Sequence, residues 1–171
     1  MLAAEVQINE TSLARGRSFG AHLMVYPSCQ TRFRTHMLTG APMLYLVAEN
    51  DGYSQAEYCE EYVASVASQG FNVEIEKYAG NNHGWLVDYG VSNCEDCMTF
   101  KECGLTYIED DGHESALDGK VNTKFGWWEY IETLYRDCGA IEVIMRLNPE
   151  ARRKTLDTTI RFFSDVLKEA E

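Results

Sequence analysis

The chain has 171 residues, of which 45% are hydrophobic and 25% charged, and this composition excludes a disordered or fibrous protein. Its length suits one domain with a sizeable core, and its net charge of −12 disfavours nucleic acid and anionic membranes as partners. No apolar run approaches the roughly 18 residues that a membrane span needs, and the first ten residues lack the basic and apolar regions of a secretory signal. We therefore expect a soluble globular protein that binds neither nucleic acid nor membrane.

The first half of the chain predicts a strand–helix–strand unit. Two short apolar runs, 21–27 and 42–49, predict buried strands because turn residues end each of them. Ser54 and Glu57 predict the capping box of a helix, and the apolar residues that follow recur at helical spacing. Residues 71–78 then alternate apolar and polar side chains, as a strand does. This order with short loops predicts parallel pairing of the strands.

The second half predicts an insertion and a final helix. Residues 105–120 predict a hairpin that turns near Asp111 and Gly112, and residues 125–138 predict a helix. That helix would carry Trp128, Ile131, Tyr135 and Cys138 on one face. The fold class is therefore α/β, one domain over 1–171, with a cysteine-bearing insertion at 90–147.

The final helix has clear start signals and an amphipathic pattern. Asn148 is its predicted cap, and Pro149 occupies its first turn. The residues that form its one apolar stripe, as expected of a helix packed on a core, are Leu156, Ile160, Phe163 and Leu167.

An acid and a histidine follow two neighbouring strands of the predicted sheet. Asp51 comes directly after the second strand, and His83 lies in the loop after the third. The carboxyl edge of a parallel sheet is where such folds place their active sites. An Asp can hold the tautomer of a His, which then acts as base and acid in acyl transfer. Both residues also precede a glycine, so each has the alternative of being an ordinary turn residue. Trp85, next to His83, is the aromatic residue expected near a substrate.

These motifs resemble a known family. The run from Ala21 to His83, with YPSC, APMLYLVAENDGY and YAGNNHGW, is similar to the C-terminal half of a dienelactone hydrolase-type α/β-hydrolase. In that family one strand ends in a Tyr-Pro pair, the next ends at the catalytic Asp, and the His lies in a His-Gly-aromatic motif. The resemblance implies a partial α/β-hydrolase fold with about three parallel strands and flanking helices, Asp51 as triad acid and His83 as triad base.

The nucleophile of that family has no recognisable counterpart here. A G-x-S-x-G turn or its cysteine version should precede Ala21, and the sequence contains none. Thr11, Ser12 and Ser18 are the upstream hydroxyl groups, and none lies in a strand–turn–helix pattern. We therefore expect the chain to be a C-terminal piece of such a hydrolase, inactive alone. Its first strand would then expose an edge that favours a homodimer, through that edge or through apolar faces.

Six cysteines are unusual for a reduced cytosolic protein of this size. They favour disulfides and a periplasmic or secreted location, and they leave a cytoplasmic one open. Cys103 with Cys138 is the preferred bridge, since it closes the insertion on itself, with Cys94 and Cys97 either paired or free. A four-thiolate zinc site is the alternative, but the spacing lacks a second close pair.

The remaining cysteines and histidines have structural interpretations. Cys59 falls on the apolar face of the first helix and is expected in the core. Cys29 is expected in the core or bonded to a cysteine outside the chain. His22 lies within a strand, whereas His36 and His113 have no acidic or thiol partner at ligand spacing. No metal and no cofactor is therefore expected.

The leading functional hypothesis follows from the resemblance. It implies a carboxylic ester or lactone hydrolase whose triad Asp and His lie in this chain, acting on a small-molecule ester or lactone. The alternative is a non-catalytic oligomerising or binding module that retains part of a hydrolase fold.

Overall fold

A computed structural model describes residues 19–35, 37–87 and 93–169, except for the side chains at 93–96, 142 and 169. This part of the chain is a mixed α/β structure with three α-helices and three sheets. Its strands are β1 (His22–Val25), β2 (Thr31–Phe33), β3 (Met43–Ala48), β4 (Val73–Tyr78), β5 (Asn93–Thr99), β6 (Thr106–Ile108), β7 (Glu114–Ala116), β8 (Val121–Asn122) and β9 (Ala140–Ile144). Its helices are α1 (Ala56–Ser68), α2 (Trp127–Cys138) and α3 (Pro149–Glu169). Within these ranges no helix has the length and apolar character needed to cross a membrane.

The central sheet has the order β1-β3-β4, and both pairings are parallel, as the sequence predicts. All six residues of β3 are buried, because a middle strand of a parallel sheet is covered on both faces. Alternate side chains of β3 enter two different cores. One core, against α1, contains Met43, Tyr45 and Val47, and the other, beside α3, contains Leu44, Leu46 and Ala48.

Helix α1 begins later than the capping-box pattern predicts. Gln55 is its N-cap residue and makes no side-chain capping bond. The Ser54 backbone N–H instead donates to Asp51 Oδ1 at 2.7 Å, which draws Ser54 into the turn after β3. The predicted Ser54–Glu57 capping box is therefore wrong. In such a box Glu57 would accept the Ser54 backbone N–H, and here the Asp51 carboxylate accepts it. The helix ends as expected, with Gly70 at a φ of 88° just beyond it.

The insertion contains the predicted hairpin and two pairings that the sequence did not indicate. Strands β6 and β7 pair antiparallel around the expected turn. Strand β2 pairs parallel with β6, and β5 pairs antiparallel with β9. Gln30 strengthens the first of these links, since its side-chain amide donates to the carbonyls of Phe100 at 2.7 Å and Gly104 at 2.5 Å. The insertion is thereby attached to the segment that follows β1.

Two disulfides are fully described. Cys103 bonds to Cys138, which confirms the preferred bridge. Cys29 bonds to Cys59, so the expected core position of both cysteines is confirmed and the alternative of an external partner for Cys29 is wrong. Both cysteines lie in the core between β1 and α1. Their spacing along the chain gave no indication that they meet. Cys97 is also disulfide-bonded, whereas the side chain of Cys94 lies outside the described part. The Cys29–Cys59 bridge spans 30 residues, a loop for which cross-linking stabilises a fold by about 3–4 kcal/mol.

The apolar stripe of α3 faces solvent instead of a core. Leu156, Ile160 and Leu167 are all exposed, with Ile160 at 65%. The buried residues of the helix are Ala151, Thr155 and Thr158, and Phe162 packs half-buried against the same core as Ala151. Thr155 accepts the indole N–H of Trp85, and Thr158 donates to Glu76 Oε2 at 3.2 Å. Periodicity located the stripe correctly, but it could not show which face of the helix packs on the sheet.

Helix α2 buries only part of the face singled out in the sequence, since Ile131 and Cys138 pack half-buried against the core beside the hairpin. Tyr130 and Leu134 are buried against the hairpin, whereas Trp128 is 77% exposed and Tyr135 is exposed as well. The Cys138 bridge to Cys103 holds the end of this helix beside the hairpin and contributes to this orientation.

Candidate active site

The structure brings Asp51 and His83 together at the carboxyl edge of the central sheet. His83 Nδ1 lies 2.9 Å from Asp51 Oδ2 and 3.1 Å from Oδ1. The Asp51 side chain is 0% exposed and that of His83 is 13% exposed. A buried carboxylate in contact with one ring nitrogen orients the ring and leaves Nε2 as the nitrogen that can exchange protons with another group.

Backbone amides hold the carboxylate in place. The N–H groups of Tyr53 and Ser54 donate to Asp51 Oδ1 at 2.8 and 2.7 Å. This bonding occupies Oδ1 twice and directs Oδ2 towards His83. The short turn after β3 is therefore built around the Asp51 side chain, as expected of an Asp that bonds to backbone amides two and three residues onward.

The loops after β3 and β4 are bonded directly to each other. The Asn50 N–H donates to the Asn81 carbonyl at 2.9 Å, and the Asn82 side chain donates to the Asn50 carbonyl at 3.0 Å. Gly80, at a φ of 67°, donates its N–H to Glu49 Oε2 at 2.8 Å. These bonds fix the separation of the two loops and so the distance between the acid and the histidine.

A second set of contacts holds His83 from the side of α3. The His83 carbonyl accepts the N–H of Arg146 at 3.1 Å, and the Trp85 carbonyl accepts that of Asn148 at the same distance. The loop that carries His83 is thus anchored both to the preceding loop and to the start of the last helix.

Two tyrosines that the sequence analysis did not single out flank the His83 ring. The ring centroids of Tyr26 and Tyr53 lie 4.7 and 5.0 Å from that of His83. Tyr26 has a φ of 40°, a conformation that non-glycine residues rarely adopt and that clusters at functional sites. Their positions gave a usable signal, because Tyr26 directly follows β1 and Tyr53 follows Asp51 by two residues.

Trp85 does not lie where a substrate could meet it. Its side chain is 0% exposed, and its indole N–H donates to Thr155 Oγ1 at 2.9 Å. Tyr78 stacks on the indole ring at 5.0 Å between centroids. The expectation of a substrate-contacting Trp85 is therefore wrong, because the residue fills the core between β4 and α3.

His22 and His113, the other described histidines, bond to residues outside this pair. His113 bonds to Asp111 at the tip of the hairpin, an acidic partner that the search for metal-ligand spacing did not indicate. His22 is buried, and its burial lowers the pKa of its ring. His36, Thr11, Ser12 and Ser18 lie outside the described residues.

Among the described residues, the His83 ring forms hydrogen bonds with Asp51, and no serine, threonine or cysteine bonds to this ring. In the same part of the chain no group of three or more His, Cys, Asp or Glu side chains could hold a metal ion. The site is therefore an Asp–His pair flanked by aromatic rings.

No protein-family model matches the chain, and neither a curated protein nor a solved structure matches it.

Proposed function

We propose that Asp51 and His83 are the acid and the base of a carboxylic ester or lactone hydrolase of the dienelactone hydrolase type. The observation that carries this proposal is the 2.9 Å contact between His83 Nδ1 and the buried Asp51 carboxylate. Its position supports the proposal as well, since the two residues follow adjacent parallel strands in the order Asp then His. The sheet order β1-β3-β4 agrees with a partial α/β-hydrolase fold.

The chemistry follows from the two nitrogens of the imidazole. Asp51 accepts a hydrogen bond from the Nδ1–H group of His83, so the Nε2 lone pair is available. Nε2 removes the proton of a hydroxyl, thiol or water that attacks the ester carbonyl, and a new bond forms at the carbonyl carbon. The imidazolium then returns this proton to the leaving alcohol as its C–O bond breaks. The negative charge of Asp51 stabilises the imidazolium while it exists.

In our proposal, the nucleophile that this pair would activate comes from outside the described residues. The sheet order supports this placement. Among the described strands β1 pairs with β3 on one side only, so its other edge has no described partner. A further parallel strand on that edge would end beside Tyr26, close to the His83 ring. Without such a nucleophile, His83 would act on water, and the rate would fall several orders of magnitude below that of a complete triad.

Hydrolysis of 4-nitrophenyl acetate by the full chain tests the proposal. General base catalysis contributes about 10²–10⁴-fold to a rate, so His83→Ala is expected to lower the hydrolysis rate by a factor in that range. His113→Ala is the matched control, because His113 also bonds to an aspartate but lies on the exposed hairpin. Equal rates for the wild type, His83→Ala and His113→Ala would refute the proposed role of His83.

A second candidate function is a non-catalytic module that associates with its own copies. The exposed stripe of α3 supports it. Its residues follow one another at intervals of four, three and four positions, as in a helix–helix seam: Leu156, Ile160, Phe163 and Leu167. Two α3 helices in contact would cover both stripes at once, so the proposed occupant of the stripe is a second copy of this chain.

Ile160→Glu tests this association by placing a charge at the centre of the stripe. We expect the wild type to have twice the chain mass in light scattering at micromolar concentration and the variant to have the mass of one chain. Lys168→Glu is the matched control, since it adds a glutamate on the same helix beside the stripe. A wild-type protein that is monomeric under these conditions would exclude the dimer.

A further inference from the structure

A cavity of about 340 Å³ lies between the candidate site and the insertion. Three parts of the chain line it: the segment from Ser28 to Thr31, the loop residue Tyr53, and the insertion with one face of α2. The cavity therefore exists only because the insertion is attached beside the central sheet through β2 and Gln30.

The size and the walls of this cavity suit an aromatic group. Phe100, Trp127, Ile131 and Leu134 supply apolar surface, and Met98 adds a flexible contact. Binding pockets for small molecules begin at about 300 Å³. A cavity of about 150 Å³ accommodates benzene, so one of this volume has room for a group of roughly two fused rings.

The charge of the cavity selects against an anion. Glu114 lines it, and its Oε1 accepts the hydroxyl of Tyr130 at 2.9 Å. Burial and the neighbouring Glu114 raise the pKa of Tyr130, so this hydroxyl stays a donor to the carboxylate. None of the described residues that line the cavity is Lys, Arg or His. A carboxylate ligand would therefore meet negative charge without a counter-charge.

Tyr53 connects the cavity with the candidate site. Tyr53 lines the cavity, and its ring centroid lies 5.0 Å from that of His83, which is not itself among the lining residues. A molecule seated in the cavity against Tyr53 would therefore lie one aromatic ring away from the imidazole.

We propose that this cavity binds a neutral aromatic group of about two rings, and that this group is the apolar part of the ester cleaved at His83. The first half of this proposal stands on the cavity alone, and the second half rests on the proposed function.

Calorimetric titration of the full chain with 1-naphthol and with 1-naphthoate tests the ligand class. The two probes share their ring system and differ in charge near neutral pH. We expect 1-naphthol to bind at least tenfold more tightly than 1-naphthoate, because of the Glu114 carboxylate and the lack of a lining cation. Equal affinities, or tighter binding of the naphthoate, would overturn the assignment of a neutral ligand.

A pair of neighbouring tryptophans tests the location. Trp127 lines the cavity and is 53% exposed, whereas Trp128 is not among the lining residues. Trp127→Ala is expected to weaken 1-naphthol binding about tenfold, since it removes an aromatic wall, and Trp128→Ala is expected to leave it unchanged. Thermal melts of both variants check that they fold, which their exposed positions favour. Equal losses in the two variants would place the ligand elsewhere.

His83→Ala separates this inference from the proposed function. The variant is expected to bind 1-naphthol as the wild type does, while its ester hydrolysis falls. Failure of 1-naphthol to bind a chain that shows His83-dependent hydrolysis would overturn the cavity proposal alone. Binding without any His83-dependent hydrolysis would keep the cavity and refute the catalytic role. Ring-proton signals of His83 that do not shift when 1-naphthol binds would refute the placement beside the imidazole.

Discussion

Replacement of Asp51 by asparagine is expected to lower the rate of 4-nitrophenyl acetate hydrolysis nearly as much as His83→Ala, by about 10²–10⁴-fold. The reason lies in how the carboxylate is bonded. Two backbone N–H groups occupy Oδ1, so the oxygen of an asparagine would take that position and its NH₂ would face His83. The NH₂ would then donate to Nδ1, and the ring proton would move to Nε2. An Nε2 that carries a proton cannot accept one from the attacking group.

The tautomer itself can be measured. Ring ¹⁵N chemical shifts distinguish a proton on Nδ1 from one on Nε2, and we expect the proton on Nδ1 in the wild type and on Nε2 in Asp51→Asn. Asp111→Asn, which alters the exposed Asp–His pair of the hairpin, is the matched control and is expected to change neither the His83 tautomer nor the rate. A purely structural role for Asp51 would lower thermal stability without reversing the tautomer, and that result would contradict the proposed orientation of His83.

Trp85→Ala is expected to lower the free energy of unfolding by about 3–5 kcal/mol, the largest stability effect that we predict for one side chain. The indole is fully buried, stacks on Tyr78 and donates to Thr155, so its removal leaves a cavity and an unpaired hydroxyl. Urea denaturation of the full chain measures this change.

Two further variants sharpen the interpretation of Trp85. Trp85→Phe keeps most of the ring packing and loses the N–H donor, so a smaller loss of about 1–3 kcal/mol is expected. Trp128→Ala removes a largely exposed indole and is expected to change stability by about 0.5 kcal/mol or less. A Trp85→Ala variant with wild-type stability and weakened ester binding would restore the role near a substrate that its sequence position suggested.

The elements that the sequence predicts well are those set by local patterns. The buried run of β3 is flanked by turn residues, and the helix spacing of α1 ends at Gly70, where the positive φ favours glycine. The hairpin of β6 and β7 turns around Gly112, as the chain indicates. In each case the deciding interactions lie within a few residues of one another.

Long-range pairing was not predictable in the same way. Thr31 pairs with Thr106 across the β2–β6 contact, and Cys29 meets Cys59 across the first core. Neither three-residue strand carries a distinctive pattern of its own. Their positions follow from the packing of the insertion on the sheet, which no local window contains.

The sequence by itself determined which residues could form an acid–base pair, because Asp51 and His83 lie in the loops after two adjacent strands whose patterns are strong. Only the tertiary structure decided their 2.9 Å contact, the burial of Trp85, the outward stripe of α3 and the cavity beside Tyr53. The physical reason is that periodicity records which faces of an element are apolar. What covers a face, or leaves it open, depends on residues distant in the chain.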